Sequence, residues 1–471
     1  MSDNSFDRAD VVVIGAGIAG LSAAVAAAEK IAESEGSVVL IERAPERESG
    51  GNTKWTSAYF RLDDLYDTGE NFVEDLRAFS DGQTSDAYVR ELIELLPETM
   101  EWIQEKGARF RAQPTYFINA VRKRLQPVGG GEALLNVLTK AAATLGVEIA
   151  YGTTATKLRL NDANEIAGLE VSRDGRSWTI ETPSVIIASG GFEGNPEWLD
   201  VELGPGGKSL KPIAPGGEYN KGEGISMALD IGAARAGQWD SFHAEPVDPR
   251  SSDAEALVMV FPYGILVNKH AERFLDEGRG TVDETYESVA RAVWKQDDGI
   301  AYFVTDQQYL SVTARDRGVL TGVRPITADS LDEIAKELGL SAEALEATVA
   351  GFNAATHPGE FDWQVPDGLN TDGITPPKSN WAVPLLTPPF LAYPVTCSIV
   401  FTFGGLGTDL RARVIRDDQS VITGLYSAGE CTGIYFNKYP GGTSVMRGMV
   451  FGRVAGIDAA AHAVSQREKV N

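Results

Sequence analysis

Asp10-Val11-Val12-Val13-Ile14-Gly15-Ala16-Gly17-Ile18-Ala19-Gly20 starts as a β-branched run and ends in three glycines spaced GxGxxG. Branched side chains favour a strand, and the glycines permit a turn too tight for larger residues. The pattern predicts a short buried strand over Asp10 to Gly15 and an alanine-rich helix from Ile18 to Glu35. A second apolar run, Ser37 to Glu42, follows at once. Strand, glycine turn, helix and parallel strand then fit within roughly 30 residues, the length of a βαβ unit. In that unit Gly15 makes the turn, Gly17 lets the backbone approach a pyrophosphate, and Gly20 lets helix and strand pack closely. The amides of the first helical turn, around Ala19, are left to hold phosphate oxygens. Glu42, at the end of the second strand, is placed to accept hydrogen bonds from an adenosine ribose.

The 471-residue chain, 43% of it hydrophobic, is long enough for two substantial cores. A formal charge of -25 argues against nucleic-acid and anionic-membrane partners, because phosphate binding needs clustered Lys and Arg. An anionic substrate must therefore find a local positive pocket. Cys397 and Cys431 form no CxxC pair, and His243, His270, His357 and His462 are scattered, so neither a disulfide framework nor a metal site is expected. Val11 to Ala28 is apolar, but it carries the glycine fingerprint, follows Asp3, Asp7 and Asp10, and is too short to span a bilayer. A soluble, cytoplasmic protein is expected.

Further along, helical periodicity returns in Asn71 to Arg77 and Asp86 to Lys106, and Gly129-Gly130-Gly131 opens another helix to Leu145. Strands are expected in Val147 to Tyr151, Thr154 to Leu160 and Glu165 to Val171, with a hairpin at Asp174-Gly175 and a return to the parallel sheet in Ser184 to Ala188. From about Gln238 to Val383 the pattern changes to mixed strands and amphipathic helices, exemplified by Ala256 to Asn268, Ile300 to Thr305, Ser330 to Leu338 and Ser341 to Thr356. The expected fold is α/β: a Rossmann-type domain over residues 1–237 and 384–471, with an α+β capping domain inserted at 238–383. A proline-rich link, Pro376-Pro377 to Pro388-Pro389, marks the return crossing.

The segment Gly424-Leu425-Tyr426-Ser427-Ala428-Gly429-Glu430-Cys431-Thr432-Gly433 reads as a strand ending in Ala-Gly-Glu-x-x-Gly. A carboxylate there can meet a ribityl hydroxyl, which points to FAD rather than to a nicotinamide dinucleotide. The last helix begins near Thr443, and amides around Thr443, Ser444 and Met446 can stabilise negative charge on a reduced flavin. Gly448, Gly452 and Gly456 recur on one face of that helix, a pattern read first as close helix packing.

Several segments together resemble the fumarate reductase/succinate dehydrogenase flavoprotein superfamily. They are the fingerprint, Glu42-Arg43, Gly50-Gly51-Asn52-Thr53, Ala188-Ser189-Gly190-Gly191-Phe192, Gly429-Glu430, Tyr439-Pro440-Gly441-Gly442 and Phe451-Gly452-Arg453-Val454-Ala455-Gly456. The chain looks most like the tricarballylate dehydrogenase branch and is similar in its Tyr-Pro-Gly motif to the ketosteroid dehydrogenases. The resemblance runs nearly end to end. It implies an FAD domain with an inserted cap, and redox chemistry at a carbon–carbon bond beside a carbonyl. Covalently flavinylated relatives carry a histidine in the stretch matching Gly51 to Tyr59; none stands there, which implies noncovalent FAD.

Desaturation beside a carbonyl needs a hydride acceptor opposite Cβ, a base at Cα and donors on the carbonyl oxygen. Against the fumarate reductase pattern, the slot after Arg273-Phe274-Leu275-Asp276-Glu277 holds Thr281-Val282, with Arg279 two residues early. Phe401 replaces the substrate-binding histidine before Thr402-Phe403-Gly404-Gly405, and Tyr439 replaces the carboxylate-clamping arginine. The ketosteroid dehydrogenase likeness implies that Tyr439, with an amide near Gly442 or Thr443, holds a substrate ketone, with Phe401 and Thr402 nearby. Tyr286 is the first candidate base, needing a cation such as Arg279 or Arg291 to lower its pKa, with His243 and Tyr263 as alternatives. Arg279 is the candidate for a substrate carboxylate. The resulting expectation is an FAD-dependent dehydrogenase acting on a small oxo-acid, cyclic ketone or polycarboxylic acid, with electrons passing to a separate acceptor. A reductase running the reverse reaction and a flavin-binding module without turnover are the alternatives.

Overall fold

In the computed structural model, which describes residues 6–34, 36–62, 64–119 and 124–470, the opening run folds into β1 (Val11–Ile14), a glycine turn and α1 (Ile18–Ile31). The expected end of that helix, Glu35, lies outside the described residues. β2 (Val38–Glu42) pairs parallel with β1, Val11 opposite Val38 and Ile14 opposite Ile41. The sheet continues on both sides, in the order Arg413–Ile415, Val421–Ser427, Val185–Ile187, β1, β2, Glu148–Tyr151, and only the outer strand Arg413–Ile415 is antiparallel.

Both faces of this sheet are covered, which is why its strands are apolar at every position rather than at alternate ones. Val11 and Val13 pack with α1 and the C-terminal helix Ser444–Val470, while Val12 and Ile14 face a second core on the opposite side. That core includes the antiparallel meander Thr154–Leu160, Ile166–Arg173 and Arg176–Glu181. The hairpin there turns at Asp174 and Gly175, both at positive φ (51° and 76°), as a two-residue turn demands.

A second sheet is organised around one long strand, Phe390–Thr402. It pairs antiparallel with Phe242–Val247 through residues 396–402, with Ile300–Thr305 through 391–396, and with Ile326–Ala328 through 390–392. Residues 390–402, assigned by pattern to the returning part of the first domain, thus hydrogen-bond within the second sheet before the chain re-enters the first. Helices Leu331–Leu338 and Ala342–Ala355 pack on this sheet in their own apolar cluster, and Val282–Trp294 lies against the strands Phe242–Val247 and Phe390–Thr402. No helix among the described residues is long and apolar enough to cross a membrane.

The first and last segments are held together by glycine. A Cβ on Gly452 would stand 2.3 Å from the Ala19 carbonyl oxygen, and one on Gly456 would stand 2.2 Å from that of Ala23. The opposing atoms are backbone and cannot swing aside. Gly452→Ala should therefore lower the unfolding free energy by at least about 2 kcal/mol, seen as a reduced midpoint in denaturant unfolding followed by tryptophan fluorescence.

Candidate active site

The glycine turn opens into one continuous cleft. Gly15, at φ 101°, lies so close to the Ala188 carbonyl that a Cβ would be 2.5 Å from its oxygen. A Cβ on Gly17, by contrast, would meet nothing nearer than 3.8 Å, so its backbone faces open space. Gly17 is also the N-cap of α1 and no side chain caps it. Thr53 Oγ1 accepts only the Ile18 amide, at 3.3 Å. A helix start with free amides beside an open glycine backbone is a cradle for a diphosphate.

At the end of β2, Glu42 accepts the amides of Ala16 and Ala44, each at 2.8 Å, one on each carboxyl oxygen. Burial raises its pKa, and those two amides work in the opposite direction. Each oxygen keeps a lone pair for a ligand hydroxyl. Arg43 also lines the cleft and is tied to Glu223 at 2.7 Å. Gly50, Gly51, Asn52, Thr53, Ala19, Gly190, Gly429, Glu430 and Ser444 line it too. Gly20, Thr443 and Met446 do not. Gly20 packs on Gly15, Thr443 Oγ1 bonds the Tyr435 hydroxyl at 2.8 Å, and Met446 is in the core beneath.

Glu430 has a buried carboxyl neighbour that the sequence reading passed over, Glu193. The Glu193 Oε1 atom accepts Asn52 Nδ2 at 2.8 Å and Asn220 Nδ2 at 2.7 Å. Glu430 Oε1 accepts the Thr402 amide at 2.9 Å. Burial, and then the Glu430 charge, push the Glu193 pKa well above the ordinary carboxylate range, and burial raises that of Glu430 as well. Thr402 is engaged with this pair and does not line the cleft.

At the far end of the cleft, the second sheet, the helix Val282–Trp294 and the loop before the C-terminal helix bring together His243, Tyr286, Phe401, Tyr439 and Gly442. The Tyr439 hydroxyl oxygen accepts the amides of Gly442 (3.1 Å), Thr443 (3.0 Å) and Ser444 (3.0 Å), and its O–H donates to Ser444 Oγ at 2.9 Å. Three amides at a helix N-terminus draw electron density from this oxygen and make its O–H a stronger donor. His243 is buried against the Tyr439 ring, centroids 4.4 Å apart, with Glu287 Oε1 3.3 Å from Nδ1 and Glu245 Oε1 3.6 Å from Nε2. Burial opposes its protonation, and the two carboxylates outweigh that, leaving its pKa above the ordinary histidine value.

Arg279 and Tyr263 stand outside the cleft, and Tyr286, inside it, has other surroundings than expected. Arg279 is exposed on a loop and does not line the cleft. The buried cation at this end is Arg124, whose Nη2 lies 3.1 and 2.8 Å from the two Asp283 oxygens. Tyr286 lines the cleft, but burial, and then Glu287, Glu245 and Asp283, push its pKa well above that of a free phenol. Arg291, the cation expected to help it, is bound to Glu287 (3.2 Å) and to backbone carbonyls instead. Tyr263 lies outside the cleft and donates to the Trp363 carbonyl at 2.8 Å.

Two acids at this end of the cleft were not among the expected site residues. Glu245 stands two residues after His243 on a buried strand, a His-x-Glu alternation that is readable in retrospect. Glu255 sits at φ 53°, a left-handed conformation unusual for glutamate. Burial, and then the charge of Glu245, raise its pKa to about 8, against hydrogen bonds from Thr56 and Ser57. No local pattern announces it.

The chain belongs to the family described as FAD binding domain, which matches residues 10–445. It is an FAD-dependent oxidoreductase acting on CH–CH groups. It is 29% identical to a fumarate reductase (cytochrome) of Shewanella frigidimarina, over 96% of this chain and 77% of that one. It is 30% identical to a 3-oxosteroid 1-dehydrogenase of Mycolicibacterium smegmatis, over 72% of this chain and 64% of that one. Among solved structures, the open conformation of a flavocytochrome c3 fumarate reductase superposes with a TM-score of 0.75 at 25% identity, over 98% of this chain and 79% of that one.

Glu42→Ala should weaken FAD binding about tenfold or more, the loss of one charge-assisted hydrogen bond, read from quenching of FAD fluorescence on titration with the apoprotein.

Proposed function

We propose that the chain is a dehydrogenase that introduces a C=C bond α,β to the carbonyl of a cyclic ketone, or of a small oxo-acid with a single carboxylate, holding FAD noncovalently and passing electrons to a separate acceptor. The observation that carries this reading is Tyr439, whose hydroxyl is polarised by three amides at the start of the C-terminal helix and whose proton points along the cleft wall to Ser444. A carbonyl oxygen that replaces Ser444 Oγ as acceptor is stabilised most as it gains enolate charge.

The surroundings favour a ring over a polycarboxylate. Tyr59, Tyr116, Phe117, Tyr286 and Phe401 wall the cleft. Of the two buried arginines that line the cleft, Arg124 is already held by Asp283, and Arg447 by the Gly429 carbonyl and the Tyr435 hydroxyl. Glu245 and Glu255 add negative charge that repels a second carboxylate.

FAD, which the Gly15–Gly17 turn, Glu42 and Gly429-Glu430 would hold, would supply the hydride acceptor for Cβ. The Cα proton is taken by the Glu255 carboxylate, which Thr56 and Ser57 hold by hydrogen bonds, while the charge of Glu245, itself hydrogen-bonded by Tyr116 at 3.2 Å and flanked by His243, raises the proton affinity of Glu255. A carboxyl group with pKa about 8 is matched to proton transfer near neutral pH.

Anaerobic addition of saturated cyclohexanone carboxylates, simple cyclic ketones and tricarboxylates should bleach oxidised FAD only with a ring ketone. Failure of every saturated compound, with reoxidation of reduced enzyme by an enone, would assign the reverse, reductase direction. Tyr439→Phe should slow bleaching at least about 100-fold while FAD content stays within twofold. The bleaching rate should rise with pH and level off above about 8, because the base is the deprotonated form of Glu255. Glu255→Gln should lower it about 100-fold or more and remove that inflection, read by stopped-flow across the pH range.

A further inference from the structure

One turn into the C-terminal helix, a full charge is buried without a partner of opposite charge. Arg447 is 2% exposed and lines the cleft. Its Nη1 donates to the Gly429 carbonyl at 2.9 Å and its Nε to the Tyr435 hydroxyl at 3.2 Å, and the guanidinium lies 4.8 Å from the Tyr435 ring centroid. No carboxylate among the described residues pairs with it, whereas the other buried arginine of the cleft, Arg124, has Asp283. Burying an unpaired charge costs several kcal/mol, so the arrangement is favourable only when a negative charge arrives. The carbonyl and phenol that hold the guanidinium orient it without neutralising it. Its helix begins beside it at Ser444, with amide N–H groups that favour negative charge at the same wall.

We propose that Arg447 is the counter-charge for reduced FAD, favouring the cofactor in the state that carries negative charge on its ring system and so raising its reduction potential. This is independent of which substrate the enzyme takes. It assigns Arg447 a tuning role, separate from Tyr439 and the acid cluster that act on the substrate. The competing assignment is that Arg447 pairs with the FAD diphosphate, which is charged in both redox states.

The test needs no substrate. Sulfite adds reversibly to oxidised FAD and leaves negative charge on the ring, so its affinity reports the positive field there. In the FAD-loaded enzyme, Arg447→Gln should weaken sulfite binding about tenfold or more and lower the two-electron potential by about 30 mV, the same tenfold expressed as a potential. Arg447→Lys, which keeps the charge, should lose less than half of that effect on a logarithmic scale. A sulfite affinity within twofold of wild type and a potential within about 9 mV of it, the same twofold expressed as a potential, in Arg447→Gln would overturn the proposal. If that variant releases FAD, its apoprotein is titrated with oxidised and with reduced FAD. A loss about tenfold greater for reduced FAD supports the assignment; an equal loss for both assigns Arg447 to the diphosphate and overturns it. If Arg447→Gln does not fold, Arg447→His decides. Its sulfite affinity relative to wild type should fall as the imidazole loses its charge above about pH 6.5, and a ratio constant with pH overturns the proposal.

Discussion

The structure depends on a backbone-to-backbone contact between α1 and the C-terminal helix. Gly452 and Gly456 bring the last helix onto the carbonyls of Ala19 and Ala23, closer than any side chain would allow. That approach sets two helix N-termini, at Gly17 and at Ser444, on the same cleft, although more than four hundred residues separate them. Two positive helix ends on one cleft suit a ligand that is anionic at its diphosphate and becomes anionic at its ring on reduction. Close packing in this protein is thus the means by which its electrostatics are arranged.

Around that axis, charge is handled differently at each station. At the Gly17 end, the amides of the first turn of α1 face the cleft without a side-chain cap. In the middle, Glu193 and Glu430 lie side by side, and burial raises the proton affinity of both carboxyls. At the substrate end, His243 is held between Glu245 and Glu287, and Glu255 is kept from ionising until about pH 8. A protein with a formal charge of -25 concentrates acids even in its interior, and its two buried cleft arginines differ in their partners, Asp283 for Arg124 and a carbonyl and a phenol for Arg447.

The nucleotide half was legible because its determinants are local. A GxGxxG turn between a β-branched run and an alanine-rich helix has few other folded solutions, and Glu42 follows from the length of the βαβ unit. The substrate half was not. Tyr439 was found through a short motif, but its hydrogen bonds to Gly442, Thr443 and Ser444 arise from how that motif folds back on its own helix. Tyr286 was expected to have a cation nearby and is surrounded by carboxylates, because Glu245 comes from a strand some forty residues earlier in the chain.

By itself the sequence determined the parallel FAD-binding sheet, the glycine turn and the close seating of the last helix, since each rests on backbone conformation and periodicity within a few consecutive residues. Only the tertiary structure decided which charges meet. It placed Phe390–Thr402 at the centre of the second sheet, Arg279 in solvent, Glu255 in a left-handed conformation at the cleft and Arg447 without a paired carboxylate among the described residues. Electrostatic pairing depends on distance through a low-dielectric interior between residues remote in the chain, and no local pattern encodes that distance.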